Sequence, residues 1–261
     1  QKVLPDAEFV DRDEFDMTDP KSYDAKNWRD YDTTINVAAY TTVDQAETTE
    51  GRKLAWEINA KALQYLTKTA AKYGLTLVHI SSEYVFDGTN NLHSEDEALS
   101  PLGVYAQTKA AGDIVATSLD KHYLVRTSWV IGEGNNFVRT MKNLAEKGVK
   151  PSVVNDQIGR LTFTKDLANG IVHLLKNGSE YGTYNLSNTG DSVSWADIAK
   201  VVYEKTGKSA DDVTPVSTEQ YYEGKEGISP RPLQSTLKLD KIESTGFQPR
   251  DWREALDEYL S

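Results

Sequence analysis

The chain has 261 residues, 38% of them hydrophobic, which is enough for one large domain or two closely packed ones around a real core. Its 29 basic and 40 acidic residues give a formal charge of −11, and no run of Lys or Arg could track a phosphate backbone, which argues against nucleic acid as a partner. With no Cys, four scattered His residues, no apolar stretch of membrane length and no leader pattern, the chain reads as a cytoplasmic protein with neither metal nor membrane attachment.

Strand-length apolar runs alternate with longer helical patterns across the first half, the signature of βαβ units and a parallel sheet. Ala7–Asp11 reads as a strand, and Thr33–Ala39 as a second. Glu50–Tyr73 follows as a long helix, with Leu54, Ile58, Ala62, Tyr65, Leu66 and Ala70 at helical spacing and Gly74 as its stop. Leu75–Ser81 is a buried strand, Asp87–Pro101 a polar loop, Val104–Leu119 a helix and Tyr123–Val130 the next strand. The expected architecture is α/β, a doubly wound parallel sheet that takes ligands at the carboxyl ends of its strands. Beyond Gly134 the pattern loosens into helices at Phe137–Glu146, Lys165–Leu175, Trp195–Lys205 and Trp252–Leu260, with strands at Ser152–Val154 and Thr183–Leu186. Lys208–Pro232 is polar, rich in Pro, Gly and Ser, and reads as a loop able to fold over a ligand. We therefore expect residues 1–134 to form a Rossmann-like cofactor domain, and 135–261 mainly a smaller substrate-binding lobe with some segments returning to the sheet.

Tyr105-Ala106-Gln107-Thr108-Lys109 carries the chemistry. Helix positions four apart share a face, so a phenol and an ammonium project together. Reducing a ketone needs a proton for the oxygen as hydride reaches the carbon, and a phenol is a poor acid at neutral pH unless a cation favours phenolate. Ser82, ending the strand before, could hold the carbonyl oxygen. A second Tyr-x-x-x-Lys, Tyr221–Lys225, contains Gly224 and falls in the loop segment, so its side chains need not share a face.

Other residues sit where a dinucleotide would need them. Asp11, ending the first strand, could accept adenosine ribose hydroxyls, while Arg12 could meet a 2′-phosphate, leaving NAD and NADP both open. Asp16-Met17 and Ala38-Ala39-Tyr40 lie at or just past strand ends, where small residues admit a flat ring system, although helix-to-sheet packing explains the alanines equally well. A dinucleotide sheet normally opens with a strand and a glycine loop against the pyrophosphate. Gln1–Pro5 instead reads as the tail of the helix after such a loop. Gly132–Phe137 carries Phe where the third glycine belongs and is not taken as its substitute. The expectation is a chain that holds its proton-transfer residues but lacks the backbone that grips the pyrophosphate, and is therefore inactive as it stands.

Eight motifs then fall in one familiar order. They are Asp16–Asp19, Asn36–Thr41 with Val43-Asp44 and Ala46-Glu47, Ser81–Gly88, Tyr105–Lys109, Arg126–Val130, Asn135–Phe137, Val154–Arg160 and Arg231–Leu237. Over nearly its whole length the chain resembles the extended short-chain dehydrogenase/reductases, and within them the dTDP-4-dehydrorhamnose reductase family. The resemblance implies NADPH- or NADH-dependent reduction of the 4-keto group of a dTDP-sugar, dTDP-4-dehydro-L-rhamnose. It implies Tyr105 as proton donor, Lys109 as its partner and ribose contact, and Ser82 as the family's hydroxyl residue, where Thr is more usual. It also implies that Asn59 supports Lys109 through water. Glu83, Tyr84 and Trp129 would line the sugar, with Asn136, Gln157, Arg160 and Arg231 towards the sugar-nucleotide. Arg231 suits a diphosphate through its fork of donors. Leu161 departs from the family, which commonly has Pro there.

A nucleotide-sugar epimerase or 4,6-dehydratase of the same superfamily competes, but Ser82 is followed by Glu83 and Tyr84 rather than by an Asp-Glu acid/base pair. A non-catalytic nucleotide-binding subunit is the reading from another class, and intact Ser82, Tyr105 and Lys109 argue against it. An upstream module such as a fused epimerase, and either a monomeric or a homodimeric state, are compatible with the sequence.

Overall fold

A computed structural model of the chain describes residues 3–261, so the reading of Gln1 and Lys2 as a helix end lies outside the described residues. After a short helix α1 (Pro20–Asp24), strand β1 (Thr33–Asn36) enters the sheet. The long expected helix follows as α2 (Thr49–Trp56), one π turn (Glu57–Lys61) and α3 (Ala62–Tyr73). The Thr48 hydroxyl caps its start by accepting from the Gly51 amide, and Gly74 ends it at φ 73°, a conformation that favours glycine. Next come β2 (Thr76–Ser82), α4 (Val104–Thr117) and β3 (His122–Thr127).

The remaining elements are β4 (Val130–Ile131), α5 (Phe137–Glu146), β5 (Ser152–Val154), β6 (Ile158–Gly159), β7 (Thr162–Phe163), α6 (Thr164–Lys176) and β8 (Gly182–Asn185). The chain ends through β9 (Val193–Ser194), α7 (Trp195–Lys205), β10 (Thr214–Val216), α8 (Thr218–Tyr222), α9 (Asp240–Ser244) and α10 (Trp252–Leu260). No described helix is long and apolar enough to cross a membrane.

The central sheet runs β1-β2-β3-β8 and is parallel throughout, with Ser82 opposite Thr127 at its carboxyl end. Alternate residues divide its strands between two cores. Leu77 and Leu124 pack with Leu63, Leu66 and Ala116 from α3 and α4, whereas Val78 and Val125 pack with Leu167, Ile171 and Leu174 from α6. A third core joins α5, α7 and α10 around Trp252 and Tyr203.

Several expectations are corrected. Ala7–Asp11 is not a strand: it pairs with no described neighbour, Phe9 and Val10 are exposed, and Asp11 bends the chain by accepting from the Asp13 amide at 2.9 Å. The expected Tyr123–Val130 strand breaks at Ser128-Trp129, where Trp129 has φ 45°, an uncommon state for a bulky residue. Lys208–Pro232 is not wholly loop. A capping box between Ser217 and Gln220 starts α8, and β10 pairs with β5, its Pro215 tolerated because the two-strand ribbon leaves an open edge. These pieces are too short for their periodicity to register. The second Tyr-x-x-x-Lys straddles the end of α8, with the Lys225 ammonium 4.2 Å from the ring centroid of the exposed Tyr221.

Candidate active site

Ser82 ends β2 and turns the chain into Glu83–Val85. Its hydroxyl accepts from the Tyr84 amide at 3.2 Å and lies 2.7 Å from the Glu83 carboxyl. Facing it, α4 begins at Val104, whose amide donates to Glu47 at 2.9 Å. Gly103 sits so tightly beneath that a Cβ there would meet the Ser229 hydroxyl. Along α4, Tyr105, Lys109 and Asp113 recur every four residues and turn one face to the sheet. Tyr105 is half-buried, with its ring edge-on to Tyr84 at 5.7 Å. The buried Lys109 ammonium donates to the Ile80 carbonyl at 2.7 Å, and the Arg126 guanidinium donates to buried Asp113 at 2.9 Å.

Burial dominates the electrostatics here because it disfavours every charged form. It pulls Lys109 down to about 8 against the opposing charge of Asp113. Glu83 is pushed up to about 7 by burial, although the Ser82 and Ser235 side chains and the local backbone amides favour its ionised form. The Tyr105 phenol is pushed above its ordinary range, first by burial and then by negative charge on Glu83; the facing Ser82 hydroxyl pulls the other way. His79, deep in β2, is held neutral by burial and by Lys109, and its Nδ1 accepts from the Asn36 amide at 3.0 Å.

On the sheet side, Asn59 occupies the π turn, a feature that often marks functional sites. It accepts from the Tyr40 amide at 2.8 Å, donates to the Tyr40 carbonyl at 3.2 Å and donates to Thr108 on α4 at 2.9 Å. This fixes the Ala38-Ala39-Tyr40 turn against the Tyr105–Lys109 helix, and the Asn36 side chain holds the Ala38 amide at 3.1 Å. Asp16 accepts from the Thr18 amide and hydroxyl, which holds its carboxyl below the usual range, and Met17 is buried beneath Tyr23. Asp11 and Arg12 are exposed on the preceding turn, with the Arg12 guanidinium 3.9 Å from Asp16.

The residues expected around the sugar-nucleotide divide. Ser82, Glu83 and Tyr84 join Tyr105 directly. Arg231 reaches the same rim, but its fork donates to Asp44 at 2.6 and 2.9 Å. Gln157 donates to Thr218 at 3.0 Å. Asn136 caps α5 and donates to the Tyr259 hydroxyl at 2.8 Å, and Arg160 turns towards the Leu237 carbonyl. Trp129 stacks on Trp195 at 3.7 Å, and a Cβ on Gly159 would strike its ring. Trp129, Asn136 and Arg160 thus each hold a packing, capping or backbone contact within the fold, and Trp129 reaches the Ser235 side of the cluster through Gly159.

Sequence reasoning missed Glu47, Thr108, Asp113, Arg126 and Ser235. Asp113 was legible, continuing the four-residue series from Tyr105. Ser235 and Glu47 arrive from distant segments, and the motifs that contain them give no sign of the contacts they make here. A surface groove of about 490 Å³ between Trp56, Lys61 and Val115 shares no residue with this cluster.

A parallel sheet that delivers Ser82 from a strand end to Tyr105 and Lys109 on the next helix defines a protein of the short-chain dehydrogenase/reductase class. Residues 6–261 match the RmlD substrate binding domain family, and the chain belongs to it. It is 39% identical to the spore coat polysaccharide biosynthesis protein SpsK of Bacillus subtilis, over 88% of this chain and 78% of that one. It is 36% identical to the dTDP-4-dehydrorhamnose reductase of Aggregatibacter actinomycetemcomitans, over 85% of this chain and 78% of that one. Among solved structures, the dTDP-4-dehydrorhamnose reductase of Bacillus anthracis in complex with NADP superposes with a TM-score of 0.89 at 34% identity, covering 100% of this chain and 91% of that one. The Clostridium acetobutylicum enzyme gives 0.90 at 34% identity, covering 100% and 92%.

Proposed function

We propose that the chain reduces the 4-keto group of dTDP-4-dehydro-L-rhamnose to give dTDP-L-rhamnose, with NADPH or NADH as reductant. The observation that carries this is the meeting of Ser82, Tyr105 and Lys109 at the carboxyl end of β2. The similarity to named dTDP-4-dehydrorhamnose reductases supplies the sugar. We further propose that residues 1–134 take mainly the cofactor and 135–261 mainly the sugar-nucleotide, and that the protein works in the cytoplasm as a monomer or homodimer.

The residues present fit the ribose and nicotinamide end of a dinucleotide. An ammonium has three donors, and Lys109 commits one of them to Ile80, leaving the others for ribose hydroxyls. Ala38 and Ala39 leave backbone open to a flat ring at the end of β1, and Asp11 and Arg12 stand exposed for the adenosine end. When bound, the reduced nicotinamide supplies hydride to the ketone carbon. The chain's own residues do the rest. Ser82 and Tyr105 hold the ketone oxygen, Tyr105 gives it a proton, and Lys109 favours the phenolate left behind. Glu83 and Tyr84 orient the sugar, and Arg231 exchanges Asp44 for the diphosphate, with Gln157 and Asn59 as supports.

Supplying dTDP-4-dehydro-L-rhamnose and NADPH to the chain tests the proposal by loss of NADPH absorbance and by the appearance of dTDP-L-rhamnose. Unchanged absorbance with a folded chain that demonstrably binds NADPH would refute it, whereas failure to bind NADPH would instead bear out the expected loss of the pyrophosphate grip.

A further inference from the structure

We infer that Glu83 works as a neutral carboxylic acid, donating its proton to the Ser82 hydroxyl so that Ser82 can point its single hydrogen at the ketone oxygen. The inference rests on the reductase reading above and adds a positioning residue to it.

A serine hydroxyl has one hydrogen to give. In the observed arrangement the Ser82 hydroxyl donates to the Glu83 carboxyl at 2.7 Å, the only choice open while that carboxyl is ionised. Ser82 also accepts from the Tyr84 amide, so an ionised Glu83 leaves it no donor for a carbonyl. Protonating Glu83 reverses the bond and frees the Ser82 hydrogen without moving a heavy atom. Ionised Glu83 also opposes the reaction in a second way: its charge makes the Tyr105 phenol a weaker acid. Both effects favour the neutral form at the step where Tyr105 must release its proton.

The surroundings suit a neutral acid. Glu83 is 3% exposed and has no cation within ion-pair distance among the described residues. The groups facing it are Tyr84 from its own turn, Tyr105 from α4 and Ser235 from the segment after α8. Arg231 acts on Tyr84 rather than on Glu83, and the Lys109 ammonium is turned to Ile80. Burial without a cation sets the carboxyl near neutrality, at about 7.

The test is Glu83→Gln, whose amide donates to Ser82 at every pH, beside Glu83→Ala, which offers no donor. With dTDP-4-dehydro-L-rhamnose and NADPH, the parent should lose kcat above about 7, roughly tenfold per pH unit. Glu83→Gln should lose this alkaline limb, its kcat staying level across the pH at which the parent's falls, whereas Glu83→Ala should be slow at all pH. Independently of turnover, infrared titration of the parent should show a protonated buried carboxyl disappearing at about 7, a signal missing from Glu83→Gln. An unchanged alkaline limb in Glu83→Gln, a folded but inactive Glu83→Gln, or no such carboxyl signal overturns the inference. Absence of turnover at every pH in a parent that binds NADPH sinks the reductase reading instead, and the infrared titration still judges Glu83.

Discussion

The Asn59 side-chain amide donates to the Thr108 hydroxyl at 2.9 Å, tying the π turn to the helix that carries Tyr105 and Lys109 across 49 positions of sequence. Because the same side chain both accepts from and donates to the Tyr40 backbone, one residue sets the spacing between the end of β1 and the start of α4. Asn59→Ala strands the Tyr40 amide and takes a donor from the Tyr40 carbonyl and from the Thr108 hydroxyl, which keeps its own bond to the Tyr105 carbonyl, and should cost about 1–3 kcal/mol of stability. Urea unfolding measures that loss. NADPH titration should show weaker binding, since the Ala38-Ala39-Tyr40 turn loses its anchor. Unaltered binding would mean that the turn is held by other contacts.

Tyr105→Phe removes the proposed proton donor while keeping the ring that packs edge-on to Tyr84. Turnover should fall by roughly 10²–10⁴, the usual worth of a positioned general acid. Binding of the sugar-nucleotide, measured by calorimetry, should stay within a few-fold. Near-normal turnover would remove Tyr105 from its role.

Gly112 offers a test whose sign differs from the ordinary expectation. In a helix interior, Gly→Ala normally stabilises by roughly 0.5–1 kcal/mol. Here a Cβ would stand 2.6 Å from the Asn59 carbonyl oxygen, a backbone atom in the π turn that cannot swing aside. Gly112→Ala should therefore destabilise by about 1–3 kcal/mol and push the π turn from α4. Thermal unfolding decides it, and an increase in stability would show that the turn yields freely.

Asp113 and Arg126 form a buried ion pair, 2% and 5% exposed, with the Arg126 guanidinium also donating to the Glu95 carbonyl at 3.0 Å. Removing one partner leaves an uncompensated buried charge, so Asp113→Ala should cost about 3–5 kcal/mol. Lys109 would also lose the nearby anion that favours its charged form, and its pKa should fall further. A double variant, Asp113→Leu with Arg126→Met, should recover most of the stability but not the Lys109 shift, separating the packing role from the electrostatic one.

The sheet and the meeting of Ser82 with Tyr105 and Lys109 were legible because their signals are local. An apolar run of strand length specifies β2, and a four-residue spacing aligns Tyr105 with Lys109. The contacts that Trp129, Asn136 and Arg160 make within the fold were not. Whether an aromatic or an arginine faces a ligand or its own fold depends on partners such as Trp195, Tyr259 and Leu237, which lie about 60 to 120 positions away and carry no mark of the contact. Ala7–Asp11 misled for a related reason. Its composition suits a strand, but a strand exists only where a neighbour completes its hydrogen bonds. For Glu83 the motif gives a position beside Ser82, while only burial reveals the shifted acidity.

That shifted acidity has a consequence for folding as well as for chemistry. A carboxyl whose pKa rises from 4.5 in the unfolded chain to about 7 in the folded one binds more protons when folded throughout that window. The stability it contributes is fully present below 4.5 and is lost as pH rises through about 7. The full shift corresponds to roughly 3 kcal/mol. Carboxyls held low, such as Asp16, Asp44 and Asp87, work in the opposite sense and destabilise the fold as pH falls, but they do so equally in parent and variant. Unfolding free energies of the parent and of Glu83→Gln, measured across the same pH series, therefore isolate Glu83 in their difference. The parent should weaken relative to the variant by up to roughly 3 kcal/mol between 4.5 and about 7, and the difference should then level off. A flat difference curve would mean that Glu83 ionises in the folded protein as it does in water, which would remove the basis for its control of Ser82.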